Sequence, residues 1–261
     1  MTAAARLLEQ RSLGEVQLRM EARGVAVLRE AGSAKCRIPR GSNEAILINT
    51  SGGLAGGDAL EVRVEAGQGT AMTVTTQAAE RVYRTLGPPA RVAVSLRAEA
   101  GSTLFWMPRE TILFEGSFLA RRLEVDLAGD AIFCAVEPMI FGRMESGEML
   151  RRVCVRDHWQ VRREGDLVHA EALRLGPELP STAATLGDNR TMATMLLCAP
   201  VAEDLLDRLR PVLASTDGAS IWNGKLVARL LAKDSFQLRQ RLVQALCICL
   251  GQDRLPKCWT F

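Results

Sequence analysis

The pattern that most restricts the fold of this chain is a strand signal that occurs three times with the same turn behind it. Leu60, Val62 and Val64 alternate with Glu61, Arg63 and Glu65; Val92, Val94 and Leu96 with Ala93, Ser95 and Arg97; Leu123, Val125 and Leu127 with Arg122, Glu124 and Asp126. A period of two puts each apolar set on one face of a half-buried strand. Ala66-Gly67, Ala100-Gly101 and Ala128-Gly129 follow, and each leads into a second apolar strand, the glycine supplying the turn. Eight residues past these glycines stand Thr75, Arg109 and Glu137, which the common offset predicts to close equivalent strands. The glycines are 34 and then 28 residues apart (67 to 101, 101 to 129), so stacked β layers fit better than a strict solenoid. Val16, Leu18 and Met20 repeat the alternation near the start. The expected fold is mainly β, with superhelical or β-helix-like stacked layers and a small C-terminal helical part.

That C-terminal part differs in period. Val201 to Leu213 has apolar residues at helical spacing, Ile221 to Val227 reads as a hairpin turning at Asn223-Gly224, and Asp234 or Ser235 can cap a helix running to about Leu250. Segments 32–44 and 176–190, rich in Gly, Pro, Ser and Asn, read as loops. One domain over 1–261 is expected, with a β body over about 13–198 and a helical and hairpin part over about 199–261. Met1-Thr2-Ala3-Ala4-Ala5-Arg6 lacks the apolar stretch of a secretory signal, and no apolar run is long enough for a transmembrane helix. Seven scattered cysteines without a CxxC pair read as free thiols of a reducing, cytoplasmic compartment. A net charge of +3 and 5% aromatic residues give no support for a nucleic-acid or membrane surface.

Several segments could carry chemistry. Asn49 to Asp58 contains Gly52, Gly53, Gly56 and Gly57. It lacks the Gly-Lys-Ser/Thr of a phosphate loop, and it leads into a strand rather than the helix of a dinucleotide site. Asp58 there either bonds turn amides or stands at a polar mouth. Thr75, Thr76 and Gln77 either satisfy backbone groups or form an oxygen-rich lining. Pro108 to Gly116 and Glu137 to Glu148 interleave carboxylates with Arg109 and Arg143, which allows ion pairing, a metal path or acid–base work. His158 and His169, the only histidines, have no neighbour at a recognised ligand spacing, so no tightly bound metal or other cofactor is expected.

Together these segments resemble the UreD (UreH) family of urease accessory proteins. The resemblance lies in Leu47–Leu60 with its Gly-Gly-Leu-x-Gly-Gly-Asp, Thr75–Tyr83, Leu104–Phe114 ending Pro-x-Glu-Thr-Ile-Leu-Phe, Glu137–Glu148 with Phe-Gly-Arg-x-x-x-Gly-Glu, and Ala219–Gly224 with Trp-Asn-Gly. These five motifs occur in the family's order and span most of residues 13–250. The tail Pro256-Lys257-Cys258-Trp259 departs from the family's Pro-Arg-x-Trp-like ending. The resemblance implies a mostly β superhelical fold and a non-catalytic chaperone that binds apo-urease with UreF and the GTPase UreG. It also implies an internal passage for nickel in transit. On that reading Asp58, Glu110, Glu137, Glu148 and Glu171 line the path, helped by Thr75, Thr76 and Gln77. Gly52, Gly53, Gly56, Gly57, Gly142 and Arg143 are structural. Leu205, Leu209, Leu246 and Ile248 exceed what one small helix face needs, so with Trp222 they are assigned to a partner surface, core packing being the alternative. Two alternatives from other classes are a β-helical carbohydrate-active enzyme using Glu110 and Glu137, and a protein-binding module without metal.

Overall fold

A computed structural model describes residues 11–143, 147–148, 150–182, 184–200, 204–251 and 254–259. From Glu44 onward the chain alternates between two sheets, which is how the repeated strand pairs are used. One sheet receives β5 (Ala59–Ala66), β8 (Ala90–Ala98), β11 (Ser117–Leu127) and β13 (Val153–Arg163), all parallel. The other receives β4 (Glu44–Asn49), β6 (Ala71–Thr76), β9 (Thr103–Met107) and β12 (Ile132–Phe141), also parallel. Each alternating strand predicted from the sequence therefore joins one wall, and the apolar strand after its Ala-Gly turn joins the other. The result is a solenoid-like winding of two facing sheets.

Antiparallel strands finish the stack. In the first sheet β1 (Leu13–Glu21) lies parallel to β5, with β2 (Gly24–Gly32) antiparallel outside it, and β14 (Asp166–Leu175) closes the far edge on β13. In the second, β3 (Ala34–Arg37) pairs with β4, while β15 (Thr191–Cys198), β17 (Lys225–Ala232) and β16 (Gly218–Trp222) extend it beyond β12. Strand β3 falls in a segment expected to be loop. Ala34 and Cys36 point inward and Lys35 and Arg37 outward, a two-residue alternation too short to stand out between glycines.

The second sheet is broken in two of its layers. After β6 and β9 the chain leaves the ladder at 77–79 and 108–110, and rejoins it as β7 (Glu80–Val82) and β10 (Thr111–Leu113). Both segments lie parallel to the uninterrupted β12. Pro108, which has no N–H to donate, sits at one break. The predicted equivalence of Thr75, Arg109 and Glu137 does not hold. Ala71, four residues past Gly67, pairs with Thr103, two past Gly101, so Thr75 pairs with Met107, while Trp106 pairs with Ala135. The unequal turns shift the register, and Glu137 ends on the opposite face of the sheet from Thr75.

Three apolar clusters hold the layers. Two lie between the sheets, one around Leu18, Val64, Leu104, Phe133 and Trp159, the other around Leu113, Leu119, Met139, Phe141 and Val155. The third packs the outside of the second sheet against the C-terminal part. There α1 (Leu205–Leu209) runs into a 3-10 turn at Arg210–Val212, because Pro211 has no N–H for the next helical bond. Val201 of the predicted helix lies outside the described residues, as do Met1–Arg6, Met144, Glu145, Ser146, Thr260 and Phe261. The hairpin turns at Asn223 and Gly224, both at positive φ (47° and 69°), as a primed two-residue turn requires. α2 (Ser235–Leu250) is capped by Asp234, whose carboxylate accepts from the Gln237 amide at 2.8 Å, and it buries Leu238, Leu242, Ala245 and Leu246.

Candidate functional site

The breaks in the second sheet open a cavity of about 200 Å³ between the two walls. Its rim includes Asn49, Gly52, Gly53, Gln77, Ala78, Glu80 and Arg81, and its buried end Trp106, Arg121 and Glu137. Between them the walls are largely apolar, with Leu47, Leu54, Leu60, Val62, Val92 and Leu119.

The glycine loop shapes the rim. Gly53 has φ 146°, and a Cβ there would lie 2.4 Å from the Tyr83 ring; one on Gly56 would strike the Thr85 side chain. The loop is thus pressed against the segment after β7, and Tyr83 returns a hydrogen bond from its hydroxyl to the Gly52 carbonyl at 2.8 Å. Asp58 proves to be a turn-amide acceptor: its carboxylate takes the N–H of Ser12 at 2.8 Å and of Ala55 at 2.7 Å. It is buried and is not part of the cavity lining.

Glu80 is the rim carboxylate. Asn49 Nδ2 donates to its two oxygens at 3.2 and 3.1 Å, and burial raises its pKa above the ordinary value despite that amide. At the buried end, Arg121 is shared by two carboxylates. Its Nε and Nη2 meet Asp157 at 3.1 and 2.6 Å, and Nη1 donates to Glu137, whose other oxygen accepts from the Trp106 indole at 2.8 Å. Arg121, Glu137 and Asp157 are only 5%, 4% and 5% exposed. Burial raises the Glu137 pKa; Arg121 opposes this, and the negative Asp157 adds to it. One guanidinium facing two carboxylates leaves this buried group one negative charge in excess, which favours a proton on Glu137.

The ionic group sits between the two inter-sheet apolar clusters, and polar residues continue from it across the molecule. Glu137 is in register with Thr194, and Thr194 with Arg229, which is ion-paired to Glu171. Glu171 also lies 4.0 Å from the buried His169 Nε2, which has no hydrogen-bond partner among the described residues. Burial and the nearby Lys225 lower the His169 pKa and keep it neutral.

Of the residues singled out from the sequence, Glu137, Thr76 and Gln77 line the cavity together with Gly52 and Gly53. Thr75 faces the other way: its hydroxyl donates to the Met107 carbonyl at 2.7 Å and touches Cys258 Sγ at 3.3 Å. Glu110 pairs with Arg109 at 3.2 Å and is not in the lining. Glu148 accepts from the Arg143 amide and guanidinium at 2.8 and 3.2 Å, and its pKa is lowered because these bonds outweigh its burial. Gly142, at φ 87°, turns the chain out of β12, and the Arg143 guanidinium lies 4.8 Å over the Phe114 ring. Gly56 and Gly57 shape the loop behind the rim, with the Gly57 amide donating to the Pro89 carbonyl at 3.0 Å. Glu171 belongs to the rear polar group. For a glycosidase the arrangement is poor: Glu137 is locked by Arg121 and Trp106, Glu110 lies outside the cavity, and Trp106 is the one aromatic lining it among the described residues. In the C-terminal part, Leu205, Leu209 and Leu246 are buried in the third cluster, Ile248 packs partly against it, and Trp222 remains 42% exposed.

Sequence reasoning missed Glu80, Trp106, Arg121 and Asp157. A signal was present for two of them: Arg121 occupies the apolar phase of Leu119, Leu123 and Val125, and Asp157 that of Val155, Trp159 and Val161. A charge on the inward phase of a strand demands a buried partner.

Two facing walls of mainly parallel strands with a carboxylate-ended cavity between them place the chain among β-solenoid-like proteins. Among the described residues no group of three or more His, Cys, Asp or Glu residues is placed to hold a metal ion. The model of the family described as UreD urease accessory protein matches residues 12–260, and the chain belongs to that family. The chain is 44% identical to the urease accessory protein UreD of Rhizobium johnstonii, over 89% of this chain and 88% of that one. It is 42% identical to the urease accessory protein UreD of Rhizobium rhizogenes over 98% of each. It is also 42% identical to that of Mesorhizobium japonicum, over 97% and 95%. No helix among the described residues is long and apolar enough to cross a membrane.

Proposed function

We propose that this chain is a cytoplasmic urease maturation scaffold, without catalysis of its own, that binds apo-urease with UreF and UreG and assists nickel delivery to the urease active site. The observation that carries the reading is membership of the UreD urease accessory protein family along nearly the whole chain. Nickel is cargo on this reading, and transit demands weak, separated oxygen donors rather than a closed cage. Asn49, Thr76, Gln77 and Glu80 at the rim and Glu137 at the buried end supply such donors. Glu137 can accept a cation only by giving up Arg121, so the Arg121–Asp157 pair controls its availability.

The test is complementation of a urease operon lacking its own UreD, reading both urease activity and the nickel content of the purified urease. The expected result is that the chain restores both. Glu137→Gln is expected to lower nickel content at limiting nickel while leaving the accessory complex assembled. Failure of the wild-type chain with its cognate operon, when soluble and with the other accessory proteins present, sinks the reading. Unchanged nickel loading by Glu137→Gln removes Glu137 from the path.

A further inference from the structure

The exposed face of the first sheet divides into two halves. Over β1 and β5 its arginines are compensated: Arg63 is paired with Glu15 and Glu61, and Arg19 with Glu21, Glu65 and Glu99. Over β8, β11, β13 and β14, Arg91, Arg156 and Arg174 are exposed, and none of the three has a carboxylate within 4.0 Å among the described residues. The ladders set these three in one transverse row. Arg91 is level with Ala120, Ala120 with Arg156, and Arg156 with Arg174. At the usual strand spacing the row spans about 14 Å.

Two features make this more than scattered surface charge. Arg156 and Arg174 are directly opposite each other in an antiparallel pair, where like charges destabilise a sheet. Ala120 lies within the row, and the neighbouring row is Ala93, Arg122, His158 and Ala172, so alanine stands beside Arg91 and Arg174 while Arg122 is already paired with Glu124. Arg156 is steadied over the Phe118 ring at 5.1 Å. The repulsion is relieved when carboxylates come in from outside, and the planar fork of arginine meets them in pairs.

We propose that this face docks an acidic protein surface, with carboxylates seated on Arg91, Arg156 and Arg174. The row suits a protein better than a nucleic acid: the aromatic ring beneath it is already covered by Arg156, and the whole chain carries only +3. That the partner belongs to the urease assembly rests on the maturation reading; the chemistry of the face does not.

The experiment uses the tagged full chain co-expressed with apo-urease and the other accessory proteins of a urease operon. Their co-purification is measured at low and high salt, beside thermal melting of the free chain. Arg91→Glu/Arg156→Glu/Arg174→Glu is expected to lose co-purification by about tenfold or more without a lower melting temperature. Arg91→Lys/Arg156→Lys/Arg174→Lys is expected to retain most of it, and wild-type capture to weaken with salt. Wild-type co-purification by the triple-Glu variant overturns the proposal, as does a wild-type chain that shifts duplex DNA and captures none of these proteins. Salt- and charge-dependent capture with urease nickel content independent of the chain upholds the docking face and defeats the maturation reading instead.

Discussion

The cavity has a carboxylate at each end, and the two are held in different ways. Glu80 at the rim is bonded by the neutral Asn49 amide, which is itself fixed through its own oxygen by Ser51. Glu137 at the buried end is bonded by a guanidinium that Asp157 also claims. Both sit where burial raises their pKa, yet only Glu80 can accept a metal cation without displacing a guanidinium. The difference teaches that burial alone does not set what a carboxylate can do. At both ends burial favours a proton, but the rim carboxylate is held by a dipole, whereas the inner one is held by an opposite charge that must move before a metal cation can bind.

The comparison breaks most visibly at Arg121. Arg121→Met leaves Glu137 and Asp157 facing each other without a counter-charge, and removing one partner of a buried ion pair costs about 3–5 kcal/mol. Denaturant unfolding of the variant is expected to show a loss of that size. Arg121→Met/Glu137→Met/Asp157→Leu, which removes every charge, is expected to be less damaging than the single change. A triple variant worse than Arg121→Met would mean that the side chains matter for shape rather than charge.

The rim is expected to respond through the backbone instead. Gly53→Ala puts a Cβ into the Tyr83 ring at a positive φ, a strain of about 1–3 kcal/mol. Paired with Tyr83→Ala the clash with the ring is relieved, while the 2.9 Å approach to the Arg81 carbonyl and the φ strain remain, so the double variant is expected to lose less than the sum of the two single losses. Strict additivity would show that the loop is not braced by Tyr83.

How much of this was legible beforehand follows from the range of the interactions involved. The alternation of Leu60–Glu65 and its two counterparts, the Asn223-Gly224 turn and the Asp234 cap are decided within a few residues, and each formed where expected. The register of the second sheet was not legible, because turns of unequal length after Gly67 and Gly101 shift one strand against the next. The cavity depends on two breaks meeting an unbroken β12, and the Arg121–Glu137 pair on two sheets facing each other; neither leaves a local pattern. Asp58 was open between a turn acceptor and a polar mouth, and the amides of Ser12 and Ala55 decide it, one of them 46 residues away. Leu205, Leu209 and Leu246 were open between a partner surface and core packing, and the outer face of the second sheet, built from distant strands, decides for the core.

The smallest expected effect compares the two ends by pH. A carboxylate whose pKa is higher folded than unfolded binds more protons in the native state between the two values, so stability falls as pH rises through that window. For Glu80 and Glu137 the window opens at the ordinary value of 4.5 and extends upward. Glu148, with its lowered pKa, acts in the opposite sense at lower pH, so the raw stability curve mixes the two. Subtraction separates them. The stability of Glu80→Gln minus that of the wild type, and of Glu137→Gln minus the wild type, is expected to grow as pH rises from 4.5 toward neutrality, because an amide has no proton to lose. A rise for Glu80→Gln with a flat difference for Glu137→Gln would mean that Arg121 outweighs burial and Asp157, and that the inner carboxylate is ionised throughout. A flat difference for both would remove burial as the force that distinguishes this cavity from an ordinary ion-paired surface.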